Sequence, residues 1–217
     1  MSERLTKDKI IQAVLDTTFY QSVGATSLTD IANALHIKKA SLYNHFDNRE
    51  DLLSQTTASC SEYIDSISFI PQDVQGVAKK YSPETVLKGM VNRYFKMHEK
   101  NPLFQIYTYL QSTKYFDPEA AKIVKRWNEK MIEDTEKVLE ALSAEKKLVL
   151  SASSGFSAAT WFCNGVNQLL EIHLLEKKKI VIQNPASGEG ELFSLPTDDS
   201  ALEHIGKFVD HFVSSIK

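Results

Sequence analysis

The stretch His36-Ile37-Lys38-Lys39-Ala40-Ser41-Leu42-Tyr43-Asn44-His45-Phe46 decides how this chain is read. Its large apolar anchors are only Ile37, Leu42 and Phe46. Wound as a short helix, the stretch sets Leu42 and Phe46 one turn apart on one face, and nearly everything else points away from that face. A segment that hides so little of itself uses its outer surface for something other than folding.

The flanks give the stretch its setting. Upstream, Ser27-Leu28-Thr29-Asp30 is a capping box, in which Ser27 accepts a backbone N–H of the new helix and Asp30 reaches back to the cap. Leu28, Ile31, Ala32 and Leu35 follow at i, i+3, i+4 and i+7, a stripe for one buried face. This helix is short and stops near Leu35. His36 then occupies a turn where positive φ is often required, which His and Asn tolerate better than branched residues. Further upstream, a helix starts at the cap residue Thr6, carries Ile10, Ile11, Val14 and Leu15 inward and ends before Gly24. Downstream, Asp47-Asn48-Arg49-Glu50-Asp51 opens a helix that carries Leu52 and Leu53 and runs into the sixties.

Two short helices joined by a tight turn, the second polar on its outside, describe a helix-turn-helix, whose second helix enters the major groove of DNA. Lys39, Ala40 and Ser41 then fall where side chains reach base edges, with Ala40 small enough to touch a thymine methyl. Lys38, Tyr43 and His45 suit phosphate contacts. Thr26 and the first amides of the second helix suit another phosphate, because a helix N-terminus favours anions. Ser27, Asn44 and Arg49 complete the expected DNA-contacting set. Charge limits the attraction. Residues 1–55 hold six Lys or Arg against seven acids, so basic charge is local to Lys38-Lys39 and non-specific attraction to phosphate is modest.

The 217 residues taken together are 42% hydrophobic and 24% charged, a mixture able to bury a core without staples. With only 8 Gly and 6 Pro, long helices are favoured over a sheet with many tight turns, and helical periodicity and caps recur from end to end. The expectation is an all-α chain. The first residues lack the apolar run of a secretion signal and no stretch is apolar enough to span a membrane, which points to the cytoplasm. Cys60 and Cys163 lack metal or redox spacing and read as buried reduced thiols. Residues 68–82 read as a linker. Ser82-Pro83 and Asp117-Pro118 each place a cap residue before a proline at the first helical position, with a shorter helix between them after Asn101-Pro102. A long apolar helix is expected from about Leu148 to Leu175, then a mobile loop over 184–199. A last helix, capped around Ser200, carries the stripe Ile205, Phe208, Val209, Phe212, Val213 and Ile216.

Over about Thr6 to Leu53 the chain resembles the DNA-binding head of the tetracycline-repressor (TetR) family of bacterial transcription regulators. The resemblance is carried by Ala25-Thr26-Ser27 leading into Asp30-Ile31-Ala32, by Lys39-Ala40-Ser41-Leu42-Tyr43-Asn44-His45-Phe46, and by Arg49-Glu50-Asp51-Leu52-Leu53, without insertion. The chain departs from the family pattern at Thr17-Thr18, where a Leu-Phe pair is usual, at Ser22 and His36, where glycines are frequent, and at Lys38, where a Ser cap is usual. The resemblance implies an N-terminal three-helix helix-turn-helix head at 1–52 and a helical ligand-binding and dimerisation body at 53–217. It further implies a homodimer, a repressor in most members, that binds a double-stranded and palindromic operator and is released by a small effector.

For the body, Ala158, Ala159, Phe162 and Val166 with Ile205, Phe208, Val209 and Phe212 are the expected dimer face, paired with two-fold copies in a four-helix bundle. Such stripes equally suit the chain's own core. The aromatic content suggests a pocket for an apolar or amphipathic effector, with Phe95, Phe104, Tyr107, Trp127 and Trp161 as walls and Asn164, Asn167 and Glu171 as its polar groups. Aromatics at helical spacing also suit plain core. No phosphate-cradling Gly loop, zinc-binding His pair, nucleophile elbow or Cys/His cluster is present, so neither an enzyme nor a metal or cofactor is expected. The rival expectation is a helical protein-interaction module, which would keep its function when Lys39 or Tyr43 is replaced by Ala.

Overall fold

The computed structural model describes residues 4–150, 157–183 and 199–216, and every regular element among them is helical. These residues divide into two compact units. The first comprises residues up to 67 together with 101–126, and the second comprises 68–100 with residues from 127 onward.

In the first unit, α1 (Lys7–Tyr20) starts where Thr6 accepts the amide of Lys9. Helix α2 (Leu28–Ala34) begins with the complete capping box of Ser27 and Asp30. It ends with the Ile37 amide donating back to Ala32 O at 3.0 Å and with His36 at φ 54, the left-handed conformation that closes a helix. The stretch at Lys39–Asn44 is wound as a 3-10 helix rather than an α-helix, and Lys38 provides no side-chain cap. Six residues with two buried anchors make too few bonds to repay α-helical nucleation, and short 3-10 turns are the usual outcome. Asn48 then caps α3 (Arg49–Ser66). Helix α1 packs on α2, α3 and on α6 (Leu103–Thr113), where Phe19 meets Phe104 edge-on with ring centroids 4.9 Å apart. Ile10, Val14, Ile31, Leu42, Leu52 and Leu110 close this core, each no more than 2% exposed.

The second unit holds an element that sequence alone missed. Helix α4 (Val74–Lys80) lies in the stretch read as a linker, capped by Asp73 at the Gly76 amide. Its last carbonyls are met from afar, since Lys147 Nζ donates to Ala78 O, Lys79 O and Tyr81 O at 2.6–2.9 Å. Seven residues carry too little periodicity to announce themselves. Helix α5 (Pro83–His98) starts from Ser82. Helix α7 (Pro118–Ala144), whose first turns belong to the first unit, starts beside Asp117, whose Oδ1 accepts the Glu119 amide. Helix α8 (Ala158–Gln183) begins ten residues later than expected and runs eight further. Leu148–Leu150 is not helical, because the Val149 amide donates to Ile216 O beyond α9 (Asp199–Ser215). Residues 151–156 of the expected helix, the expected loop at 184–198 and the side chains of the cap near Ser200 lie outside the described residues.

Candidate nucleic-acid interface

The 3-10 segment turns its chemistry outward. Leu42 and Phe46 are 2% and 3% exposed, whereas Lys38, Lys39, Ala40, Tyr43 and Asn44 are all exposed and Ser41 and His45 are half-buried. Lys7 braces the far side, with its ammonium 5.3 Å above the Phe46 ring and hydrogen-bonded to Gln55. The expected contact set therefore divides. Seven of its members, from Lys38 to Asn44 and on to His45, cluster on one surface around a buried anchor.

Three others sit differently. Ser27 is exposed, but its Oγ is engaged with Asp30, whose carboxyl is held below its ordinary value first by the Ser27 side chain and then by the Ser27 amide. Thr26 is buried, and its Oγ1 donates to Ser22 O. Arg49 turns inward: Nη2 donates to Val23 O at 2.6 Å and Thr26 O at 3.1 Å, fixing the loop that delivers the N-terminus of α2. Its charge stays near the head, and its hydrogen bonds go to the fold.

The residues expected at an effector pocket fall into separate places. Phe95, Trp127 and Asn167 all lie in the second unit and are linked through Tyr94 and His98. Trp127 stacks on the ring of His98, Phe69 stacks on the same ring, and Tyr94 donates to Asn167 Oδ1 at 2.9 Å. Phe95 lies against His173, which with Lys177 contacts Glu99 at 2.6 and 2.9 Å. Burial pushes His98 down to about 4, and the bond to Tyr94 O opposes that only in part. Phe69, His98, Glu99 and Lys177 were absent from the sequence reading, since no spacing ties them together. Trp161, Asn164 and Glu171 lie on the exposed side of α8, while Phe104 belongs to the core against α1 and Tyr107 is half-buried on α6.

Within the chain itself, Ala159, Phe162 and Val166 of α8 and Ile205, Val209 and Phe212 of α9 are at most 2% exposed, with Ala158 and Phe208 half-buried. Phe162 meets Phe208 and Phe212 at 5.7 and 4.7 Å, and Phe208 lies so close to Gly165 that a Cβ there would be 2.4 Å from its ring. The apolar side chains that α8 leaves in the open are others: Trp161, Ile172, Leu175, Ile180 and Ile182, each 40–61% exposed.

A three-helix head with a polar segment raised on two anchors is the architecture of a helix-turn-helix regulator. The family described as "Bacterial regulatory proteins, tetR family" matches residues 19–56, from the end of α1 into α3. IcaR of Staphylococcus aureus, the negative transcriptional regulator of the icaADBC biofilm operon, is 30% identical over 107 residues, 49% of this chain. Those residues are 54% of IcaR, so the chain spans about half the length of the curated relatives it matches. Among solved structures, the TetR-family regulator PfmR of Thermus thermophilus is similar with a TM-score of 0.58 at 14% identity, covering 97% of each chain. FadR, the fatty acid degradation regulator of Bacillus halodurans, is similar at 0.57 and 15% identity, covering 96% of each. At such identities the likeness carries the fold alone. Over residues 19–56 the chain is similar to the tetR family of bacterial regulatory proteins.

Proposed function

We propose that this protein is a DNA-binding transcriptional regulator that acts as a homodimeric repressor and leaves its operator when a small apolar or amphipathic effector binds. The observation that carries this reading is the exposed face formed by Lys38, Lys39, Ala40, Tyr43 and Asn44 around the buried Leu42. Lys39, Ala40 and Ser41 read base edges, and Lys38, Tyr43 and His45 hold phosphates. The working division is a head at 1–52 and a body at 53–217, cut through the first turn of α3. Repression is supported by the name of the Staphylococcus aureus relative.

A two-fold palindromic operator needs a two-fold protein, with half-sites about 34–36 Å apart or a multiple of that. The open apolar side chains of α8 support pairing with a second copy. For the effector, the cluster of Phe95, Trp127 and Asn167 with Tyr94 and His98 combines aromatic walls with a few polar groups. The test is footprinting on the DNA flanking the protein's own gene, followed by fluorescence anisotropy on the protected site. Lys39→Ala and Tyr43→Ala are expected to abolish protection while the circular dichroism spectrum and the sedimentation profile stay unchanged. Protection that survives both substitutions refutes the reading and leaves a helical interaction module.

A further inference from the structure

A groove of about 290 Å³ lies in the second unit between α4 and the side of α5 that carries Thr85, Gly89 and Arg93. These three residues are exposed and stand one turn apart, spanning about 12 Å of the helix axis. Buried Val86 and Met90 lie beside them, and Phe69, Val77 and Tyr81 face them from the chain around α4. The volume is at the lower end for small-molecule sites, and most of the lining is apolar.

Two features of this surface are unused by the fold. Glycine in a helix interior weakens the helix, yet a Cβ at Gly89 would meet nothing within 4 Å, so the chain's own packing does not require a glycine there. Bare backbone at that point lets another molecule approach closely. Arg93, one turn further on, makes no hydrogen bond or ion pair among the described residues, whereas Lys88 on the same helix pairs with Asp210 at 2.7 Å. No carboxylate lines the groove: Asp73 and Glu84 lie outside it, and Asp73 is taken up in capping α4. At the other end Lys80 lies 5.1 Å above the Tyr81 ring and adds positive charge. An apolar trough that ends on an unpaired guanidinium suits an apolar chain with an anionic head, and the planar fork of arginine matches a carboxylate.

We propose that this groove is a ligand site, separate from the aromatic cluster around Trp127, and that it takes a small amphiphile with a carboxylate head. The carboxylate accepts two N–H groups of Arg93, and the unbranched tail crosses Gly89 and ends against Val77, Val86 and Tyr81. Phe69 belongs to both places, since its ring also stacks on His98 at 5.4 Å and meets Tyr94 edge-on at 4.5 Å. An occupant therefore bears on that cluster from outside.

Octanoate and octylammonium share a tail and differ in the charge of the head, so methyl-detected NMR titration of the full chain with each, in the absence of DNA, separates charge from apolar contact. The expected result is saturable shifts of the Val77, Val86 and Met90 methyls with octanoate, one site per chain, and about tenfold weaker binding of octylammonium. Arg93→Gln should weaken octanoate about fivefold without weakening octylammonium. Gly89→Trp, whose indole would lie in the groove, should abolish the shifts from both, with thermal midpoints confirming an intact fold in each variant. Absence of saturable shifts, equal affinity for the two ions, or octanoate binding unchanged in either variant overturns the proposal. Because no DNA is present, its failure is separate from failure of the regulator reading.

Discussion

The segment at 38–45 and helix α9 make opposite use of their side chains. The first buries Leu42 alone and shows lysines, Tyr43 and Asn44 to solvent, whereas α9 buries Ile205, Val209, Phe212 and Val213 at 0–2% exposure and turns Glu203, His204, Lys207 and His211 outward. In α9 the repeating apolar positions are consumed by the chain's own interior. In the head segment the fold needs little, and the remainder of the surface is free to be selected for contact. A stripe here marks the chain's own interior, and its absence marks a surface that the fold leaves open.

The largest expected effects test that contrast directly. Phe212→Ala should cost about 3–5 kcal/mol in chemical denaturation, the range for an emptied aromatic core site. Tyr43→Ala, at an exposed position, should change stability by no more than about 0.5 kcal/mol. Comparable losses from the two would break the comparison.

Next comes acid. His98 is buried and held near 4 against an ordinary value of 6.5, so between those values the unfolded chain binds the proton that the folded chain refuses. Stability from this site is complete above about 6.5, falls as pH drops toward 4 and changes no further below that. His98→Asn keeps a donor for Tyr94 O and removes the titration, so urea midpoints measured from pH 7 to 4 should decline less steeply in that variant.

A smaller effect is expected at the α8–α9 contact. Gly165→Ala gains helix propensity, roughly 1 kcal/mol, yet the new methyl would meet the Phe208 ring at 2.4 Å, and overpacking of that kind costs about 1–3 kcal/mol. A net loss is expected in the thermal midpoint, and a gain would show that the ring moves freely. Ser27→Ala should cost about 1 kcal/mol through the lost cap and leave Asp30 without its principal partner. Hydrogen exchange in the first turn of α2 would register it.

How much of this was legible in the sequence followed the range of the interactions. Thr6, the Ser27 and Asp30 box, Asn48, Ser82 and the positive φ at His36 are local devices, and the structure places them where the residues asked for them. The helix-turn-helix follows from them. Partners distant along the chain were not legible: that Arg49 bonds Val23 and Thr26, that Phe104 sits with Phe19 while Phe95 sits with His173, and that Lys147 closes α4. Leu148 to Leu150 read the same as a helix start or as an irregular stretch, and the Val149–Ile216 bond decides between these.

The inward turn of Arg49 has a consequence for how the head meets anything. The loop ahead of α2 loses its freedom while the chain folds, so a partner arriving at that edge encounters main chain already in place and surrenders less entropy on docking. Stiffness there is set by a single guanidinium that need never touch the partner. A change at position 49 would then alter how fast and how tightly the head engages while leaving every contacting side chain as it was.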